Sequence, residues 1–261
     1  MYRPISLIFG VAAYAFGLGS LVLFILFVGG WDVLPWSIDA QPDQSTAWAL
    51  FINLALIALF SAQHSVMARP GFKKVWTRVV PKSIERSCYC VATGVAVCLL
   101  CICWQPMAGV VWSIENPALI TALAILQVVG WGTAVAASFM INHFELFGLQ
   151  QVYDRLMERP EPRPTFTVKY LYRYVRHPLQ MGMLIGIWST SHMSTSHMFL
   201  AAAMSVYITI GLYLEERDLA ASLGSAYGRY QQQVPMIVPK LRGLTPDLDQ
   251  PQTLLSDSAA G

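Results

Sequence analysis

The chain opens with an apolar run long enough to cross a membrane. Residues 5–28 are 24 consecutive residues without a charged side chain. At about 1.5 Å per residue, a helix of this length spans a hydrocarbon core of roughly 30 Å with some tilt. The run is too long for the core of a secretory signal peptide, and no small-residue cleavage site follows it. It therefore predicts a first transmembrane helix, Ile5–Val28.

Three further runs of the same kind follow. They cover Ala47–Met67, Cys88–Trp104 and Ala118–Ile141. A last apolar stretch, residues 178–214, is interrupted by polar residues 191–197, which predicts a hairpin of two shortish helices with a polar tip. Only 12% of the residues are charged, against about 25% in a soluble domain. The predicted fold class is an all-α integral membrane protein with four transmembrane helices and a C-terminal membrane helical hairpin.

The basic residues divide the connections between spans into two kinds. All 17 Lys and Arg residues precede residue 4, lie within 69–86 or 155–176, or follow residue 216. The remaining connections carry only acidic charges: Asp32, Asp39, Asp43 and Glu115. Because Lys and Arg favour cytoplasmic loops, both termini are predicted to face the cytoplasm. We expect a bacterial inner (cytoplasmic) membrane protein, and the net charge of +2 gives no sign of nucleic-acid binding.

The sequence divides into three parts. Residues 1–141 form the four-span region, 142–240 hold a long cytoplasmic connection and the hairpin, and the polar tail 241–261 is predicted to be disordered. The cytoplasmic connection begins with a helical apolar pattern, formed by Leu146, Leu149, Tyr153 and Leu156. This spacing predicts a short amphipathic helix near the membrane surface. The proline-rich stretch 159–164 predicts an extended linker after that helix.

Several motifs that would assign a cofactor or a metal are absent from the sequence. No glycine-rich dinucleotide or phosphate loop occurs, so a nucleotide-like cofactor has to be held by other residues. All five cysteines lie within residues 88–103 of the third span. A zinc site needs a closed set of ligands, and no second Cys pair is present. We therefore interpret the cysteines as small apolar filler and predict no metal centre.

Five chain segments place polar residues at the predicted cytoplasmic ends of the spans. They are Gln63-His64, Glu85-Arg86, Asn142-His143, Arg176-His177-Pro178 and Glu215-Glu216-Arg217. Polar groups in a membrane are costly and usually face the protein interior. Any one of these groups alone is more often an interfacial residue. Five together predict a pocket for a polar cytosolic ligand at the inner leaflet.

The predicted hairpin also carries a small-residue packing pattern. Gly182 and Gly186 lie one turn apart on its first arm, and the second arm contains Ala201–Ala203 and Ser205. Small faces let two membrane helices approach closely. Close arms would bring Arg176-His177 near Glu215-Glu216, where the opposite charges suit either a salt bridge or a zwitterionic ligand.

Two groups of motifs resemble known membrane methyltransferases. The C-terminal group comprises Arg176-His177-Pro178-Leu179-Gln180-Met181-Gly182, Glu215-Glu216-Arg217-Asp218-Leu219, Gly224-x-x-Tyr227-x-x-Tyr230 and Val234-Pro235-x-x-Val238-Pro239. It resembles the signature of the isoprenylcysteine carboxyl methyltransferase-like enzymes, which use S-adenosylmethionine. The N-terminal group comprises Gln63–Arg69, Glu85–Tyr89 and Asn142–Tyr153. It looks like the methanethiol S-methyltransferase branch, which makes dimethyl sulfide and is related to the NnrU-like proteins.

The resemblance implies that residues 142–240 contain a cofactor-binding segment. Arg176 suits the methionine carboxylate of S-adenosylmethionine, because Arg prefers bidentate carboxylate contacts, and His177 and Pro178 would join it. Glu215 and Glu216 suit the ribose hydroxyls or the amino group. Two tyrosines would pack on adenine, unless they are aromatic anchors at the membrane interface: Tyr227 and Tyr230.

Methyl transfer to a thiol requires a positioned thiolate. A small alkyl thiol is a weaker acid than cysteine, whose pKa is about 8.5, so it needs a base or a nearby cation. His143 and His64 are the candidate bases because histidine titrates near neutrality, and Arg86 would stabilise the thiolate. Either histidine is equally a hydrogen-bonded structural residue. The candidates for substrate contact are Asn142, Glu145 and Gln63.

The leading interpretation is S-adenosylmethionine-dependent methylation of a small volatile thiol, methanethiol, which reaches an inner-leaflet site through the bilayer. The expected partners are this thiol and membrane lipid. One alternative is a methyltransferase for a prenylcysteine or another lipid, which needs a lateral opening between helices. Another is a non-enzymatic NnrU-like membrane protein, which the paired glutamates of the hairpin disfavour by analogy.

Overall fold

The computed structural model describes residues 3–31, 33–160 and 168–239. Long helices alternate with short ones, and a small sheet lies at one end. The long helices are α1 (Arg3–Gly29), α2 (Thr46–Ala68), α4 (Lys82–Cys103), α5 (Pro117–Ile141) and α9 (Thr195–Leu223). The other elements are α3 (Pro70–Trp76), α6 (His143–Leu146), α7 (Leu149–Leu156), α8 (Pro178–Trp188), α10 (Ser225–Gln233), a 3₁₀ helix (Tyr170–Arg173), β1 (Val110–Ser113) and β2 (His192–Ser194).

The long helices are the candidate membrane spans. Within the described residues, five helices are long and apolar enough to cross a membrane, namely α1, α2, α4, α5 and α9. The first four of them overlap the four predicted spans. The prediction of two shortish hairpin helices is wrong for the second arm, because α9 has 29 residues whereas α8 has 11. The helix begins inside the polar stretch since the Ser194 side chain caps it by accepting from the His197 N–H at 3.0 Å.

A small two-stranded antiparallel sheet accompanies the helices, and the mostly helical fold with its apolar long helices is consistent with the predicted all-α membrane protein. β1 pairs with β2, with Val110 opposite Ser194 and Ser113 opposite His192. Three of the four residues of β1 are β-branched or aromatic, types that favour extended structure. The predicted polar tip is therefore a strand that ties the α8–α9 connection to the connection after α4.

The small-residue face of α8 packs against α5, so the predicted contact between the hairpin glycines and the second arm is wrong. A Cβ added at Gly182 would lie 2.5 Å from the backbone nitrogen of Ala134, and one at Gly186 would lie 2.5 Å from the Trp131 ring. Helix α5 supplies its own small face at this crossing, which lets the two backbones touch. The arms still meet, because the Trp188 indole donates to the Ser205 hydroxyl at 2.9 Å.

Buried polar groups fix the end of the bundle that carries the sheet. Asn53 of α2 is fully buried, and its side-chain amide exchanges two hydrogen bonds with the Gln105 backbone, at 2.7 and 2.9 Å. Asp39 of the α1–α2 connection lies 3.6 Å from the buried ring of His197. The Asn53 hydrogen bonds satisfy polar groups that would otherwise be costly inside a membrane.

The amphipathic helix predicted after the fourth span is confirmed as α7, but its buried face differs. Val152 is the buried residue of α7 and packs on Gly10 of α1, whereas Tyr153 is 40% exposed. The helix thus packs against the bundle through a residue outside the predicted stripe. Most of the predicted linker (161–164) and the predicted disordered tail (241–261) lie outside the described residues.

Candidate active site

The α8 N-terminus and the end of α9 meet in a buried ion pair. The Arg176 guanidinium donates to both carboxylate oxygens of Glu216, at 2.5 and 2.9 Å, and each side chain is only 9% exposed. The His177 ring nitrogen Nε2 lies 3.0 Å from the same carboxylate. The predicted proximity of these charges is confirmed, in the form of a bidentate salt bridge.

Arg176 also holds the segment that follows α10. Its Nη1 donates to the carbonyls of Gln231, at 3.0 Å, and of Val234. The backbone N–H groups of residues 176 and 177 donate to the carbonyls of Pro235 and Met236, at 2.9 and 3.1 Å. The guanidinium is therefore a hub that joins α8, α9 and the C-terminal segment, and Glu216 and these carbonyls engage much of its donor capacity.

Tyr227 and Tyr230 belong to the C-terminal unit, which consists of α10 and the segment after it. They are 2% and 4% exposed, and their ring centroids are 5.8 Å apart. The Tyr230 hydroxyl donates to the Tyr172 carbonyl at 2.7 Å, and Val168 packs on the pair. Burial raises the pKa of both hydroxyls, so they remain neutral donors. Neither ring has the exposed position of an interfacial anchor.

Gly224 makes the turn that folds α10 back on α9. Its φ of +57° belongs to the left-handed region that favours glycine. Nine residues earlier, on α9, Glu215 is exposed, unlike its neighbour Glu216. Its charge contributes to raising the pKa of the Tyr172 hydroxyl, after the larger effect of burial. Glu215 thus lies close enough to the 3₁₀ helix for its charge to act on Tyr172.

A surface cavity of about 590 Å³ adjoins the tyrosine pair. Val168, which packs on that pair, also lines the cavity. Its other lining residues come from the end of α5 and from the 3₁₀ helix with its flanks: Met140, Lys169, Tyr170, Leu171, Arg173 and Tyr174. The cavity is of the size that small-molecule ligands occupy, and it combines cationic and aromatic side chains.

His64 of α2 lies in a cluster of aromatic and hydroxyl groups. The Tyr89 hydroxyl of α4 is 3.0 Å from both of its ring nitrogens, and the Thr93 hydroxyl is 3.4 Å from Nδ1. Phe60 stacks on the imidazole with a centroid distance of 5.4 Å. Tyr207 of α9 approaches the ring edge-on at 6.4 Å. Three spanning helices therefore meet at this histidine.

Arg86 completes this cluster from one turn before Tyr89. Its Cζ lies 4.7 Å from the centroid of the Tyr89 ring, which is cation–π geometry. Its Nε donates to the Leu146 carbonyl at 2.7 Å, which ties α4 to the chain after α5. A guanidinium, a phenol and an imidazole thus follow one another in contact.

His143 occupies a separate, enclosed place. Its Nδ1 lies 2.8 Å from the Ser138 hydroxyl, and its Nε2 lies 3.0 Å from the Tyr14 hydroxyl. Ser138 donates to the Val135 carbonyl, so its oxygen accepts from Nδ1–H, and Tyr14 donates to Nε2. The ring stacks on Phe139 at 4.0 Å, and burial lowers its pKa. His143 is a neutral imidazole with both nitrogens paired.

The predicted substrate contacts have local partners. Asn142 caps α6 by accepting from the Glu145 N–H at 3.3 Å, and its amide donates to Glu145 and Gln150, at 2.9 and 2.6 Å. Gln63 donates to Met67 and Thr93, at 3.3 and 3.4 Å. Its carbonyl oxygen is buried and has no partner among the described residues.

Helix α9 connects the His64 cluster to the ion pair. Tyr207, which contacts His64, and Glu215 are eight residues apart on α9, about 12 Å along the helix. The Arg69–Asp218 salt bridge, at 2.7 Å, joins the end of α2 to α9 just beyond Glu216. The structure thus places five of the predicted site residues on α2, α4 and α9, namely Gln63, His64, Arg86, Glu215 and Glu216. Among the described residues, no hydrogen bond or ring contact joins His143 to either group.

Three hydroxyl residues of the His64 cluster were not among the predicted site residues: Tyr89, Thr93 and Tyr207. Arg86, Tyr89 and Thr93 recur at spacings of three and four residues, so they share one face of α4. That pattern was available in the sequence. Tyr207 had no such signal, because the residues three and four positions away on α9 carry no polar side chain.

Curated relatives match nearly the whole chain. Methanethiol S-methyltransferase 1 of Bradyrhizobium diazoefficiens is 41% identical over 244 residues, covering 94% of this chain and 85% of the relative. Methanethiol S-methyltransferase of Mycobacterium tuberculosis is 42% identical over 239 residues, covering 92% and 98%. Nurim of Rattus norvegicus is more distant, at 27% over 229 residues, covering 80% and 87%. No family model matches the chain, and no solved structure matches it.

Proposed function

The chain belongs to the methanethiol S-methyltransferase family, and we propose that it transfers a methyl group from S-adenosylmethionine to methanethiol, giving dimethyl sulfide. The relatives named for this reaction are about 40% identical over most of the chain. We place the reaction at the inner leaflet, because all 17 basic residues fall on one side of the predicted topology.

The arrangement along α9 carries the proposal. One end of this stretch touches His64, and the other holds Glu215 and the Arg176–Glu216 pair. An in-line displacement at the methyl carbon needs the methyl donor and the attacking thiolate on neighbouring, rigidly connected supports. A single helix that contacts both groups, reinforced by the Arg69–Asp218 bridge, provides this support.

The C-terminal residues fit a methyl donor with one adjustment to the predicted roles. S-Adenosylmethionine, when bound, supplies the electrophilic methyl group. Arg176, His177 and Glu216 are proposed to form the buried frame of its site, since they already pair with one another. Exposed Glu215 is left as the acceptor for hydroxyl or ammonium groups. Pro178 starts α8 at the frame, where a missing N–H has no cost.

The cavity beside the tyrosine pair is the proposed place for the rest of the donor. Lys169 and Arg173 on its lining offer cationic contacts for a carboxylate. Tyr170 and Tyr174 offer aromatic faces for a nucleobase. Tyr227 and Tyr230 support its floor through Val168 rather than from the open side.

His64 is proposed as the residue that receives the thiol proton. Neutral imidazole can accept a proton, and Tyr89 can then reorient its hydroxyl to accept from the imidazolium. Arg86 is proposed to favour the thiolate through its charge. His143 is a weaker candidate, because its buried ring contacts neither the His64 cluster nor the ion pair among the described residues.

Headspace gas analysis tests the proposal directly. Membranes containing the chain, given S-adenosylmethionine and methanethiol, should release dimethyl sulfide, whereas His64→Gln membranes should release much less. Membranes without the chain are the control. A radiolabelled methyl group that appears in prenylcysteine or membrane lipid, with no dimethyl sulfide formed, would replace the thiol by the lipid alternative. No methyl transfer to either acceptor would contradict the enzyme proposal.

A further inference from the structure

The connection between α2 and α4, residues 70–82, combines strong positive charge with exposed apolar side chains. Its basic residues are Lys73, Lys74, Arg78 and Lys82, and it contains no acidic residue. Lys74, Arg78 and Lys82 are exposed. Among the described residues, none of these four forms a salt bridge, whereas Arg69 just before them pairs with Asp218. The connection thus carries a concentrated charge that no described residue neutralises with an ion pair.

The apolar residues of this connection are unusually open for a segment outside the spans. Val79 is 84% exposed and Val75 is 60% exposed. Phe72 and Trp76 stack on each other, with ring centroids 5.8 Å apart. These four residues, Phe72, Val75, Trp76 and Val79, follow the helical pattern i, i+3, i+4 and i+7. They therefore lie along one side of α3 and its C-terminal turn. Exposed valines in a charged connection have no stabilising contact in water.

We propose that residues 70–82 bind anionic phospholipid headgroups, with Val75 and Val79 inserted among the acyl chains beneath. The connection joins the ends of two spans, so it lies at the level of the headgroups. Clustered Lys and Arg beside a membrane helix attract anionic lipid, and interfacial aromatic and aliphatic side chains add buried apolar area. Charge complementarity selects an anionic surface over a zwitterionic one.

Lipid binding at this connection would bear on the proposed site, although the inference does not depend on the chemistry there. Six residues before the connection lies His64 on α2, and four residues after it lies Arg86 on α4. A connection held in the headgroups fixes the relative height of these two helix ends. The site geometry would then depend on the lipid that surrounds the protein.

The test measures the depth of the connection in bilayers of known composition. A chain with its five cysteines replaced by alanine and with Val79→Cys carries a spin label. It is reconstituted in nanodiscs of pure phosphatidylcholine or with about one-third phosphatidylglycerol. The accessibility of the label to oxygen and to a soluble nickel complex gives its depth. The label should be deeper in the anionic discs and should rise toward the water when salt is increased to ~1 M, where the Debye length falls to about 3 Å.

Matched charge removals separate the headgroup interaction from simple hydrophobic insertion. Lys74→Gln with Arg78→Gln should lower the inserted-to-exposed ratio by about 25-fold in anionic discs, at about fivefold for each cation. Arg155→Gln with Arg217→Gln removes two exposed charges elsewhere and should leave the depth unchanged. Equal depth in both lipids, or no response to salt and to Lys74→Gln with Arg78→Gln, would overturn the proposal. The comparison of low and high salt uses the labelled chain without any charge removal. A folding defect in one of the charge variants therefore does not leave the question open.

Discussion

Replacing Arg176 by methionine tests whether charge pairing holds the C-terminal unit together. Arg176 and Glu216 are each 9% exposed and share two hydrogen bonds. Removing one partner of such a pair costs about 3–5 kcal/mol, because the other charge remains buried. His177 and Gln231 still reach the Glu216 carboxylate, at 3.0 and 3.2 Å. The expected loss in the free energy of unfolding is therefore about 3 kcal/mol, the lower end of that range.

The assay is denaturant unfolding in mixed micelles, with a matched surface control. Arg217→Met removes a 71% exposed arginine that lies 4.0 Å from Asp218, so its cost should be below about 0.5 kcal/mol. Arg176→Met combined with Glu216→Leu removes both buried charges and should return to within about 1 kcal/mol of the unsubstituted protein. The reasoning fails if Arg176→Met costs less than about 1 kcal/mol, or if the double variant loses the sum of both single losses.

Three further results are expected. In a cysteine-free chain, a single cysteine at Asp43 should react with an impermeant label from outside and one at Lys74 only from the cytoplasm; labelling of position 74 from outside would invert the topology. Burial lowers the pKa of His143, so the unfolded chain binds more protons than the folded one below about pH 6.5. The free energy of unfolding should therefore fall as the pH drops from there. His143→Gln should flatten this loss, measured as unfolding free energies at neutral and acid pH. Tyr89→Phe keeps the ring but removes the hydroxyl 3.0 Å from His64, so kcat/KM should fall about tenfold with little change in stability, and an unaltered pH profile would remove this hydroxyl from the proton transfer.

The spans could be predicted because apolarity over about 20 residues is a strong, local signal. The packing partners could not, because small residues occur on more than one helix. Gly182 and Gly186 were expected to face Ala201–Ala203, but Gly130 and Ala134 of α5 offer an equally small surface. Only the positions of α5 and α9 in three dimensions decide between them. The sheet was missed for a related reason, since a three-residue strand forms only because another chain segment lies beside it.

The candidate site was predictable where opposite charges lay at the ends of adjacent elements. Arg176 and Glu216 fit this case, and their pairing followed from the chain reversal between α8 and α9. The sequence did not predict how far Arg176 is available to a ligand carboxylate. It does not reveal that the carbonyls of Gln231 and Val234 also accept hydrogen bonds from the same guanidinium. A residue chosen as a ligand for a carboxylate proves to hold a carboxylate of its own chain.

The two candidate histidines differ in their surroundings more than in their hydrogen bonds. Both close a span in the sequence, and both meet a tyrosine hydroxyl at 3.0 Å. Either hydroxyl can rotate between donating and accepting, so neither ring is prevented from taking up a proton. His64 lies beside Tyr89 of α4 and Tyr207 of α9, and α9 also carries the Glu216 of the buried ion pair. Among the described residues, the ring of His143 contacts neither the His64 cluster nor that ion pair. A proton acceptor has to lie within reach of the reacting thiol, which is the physical reason for assigning the proton transfer to His64 and a supporting role in the bundle to His143.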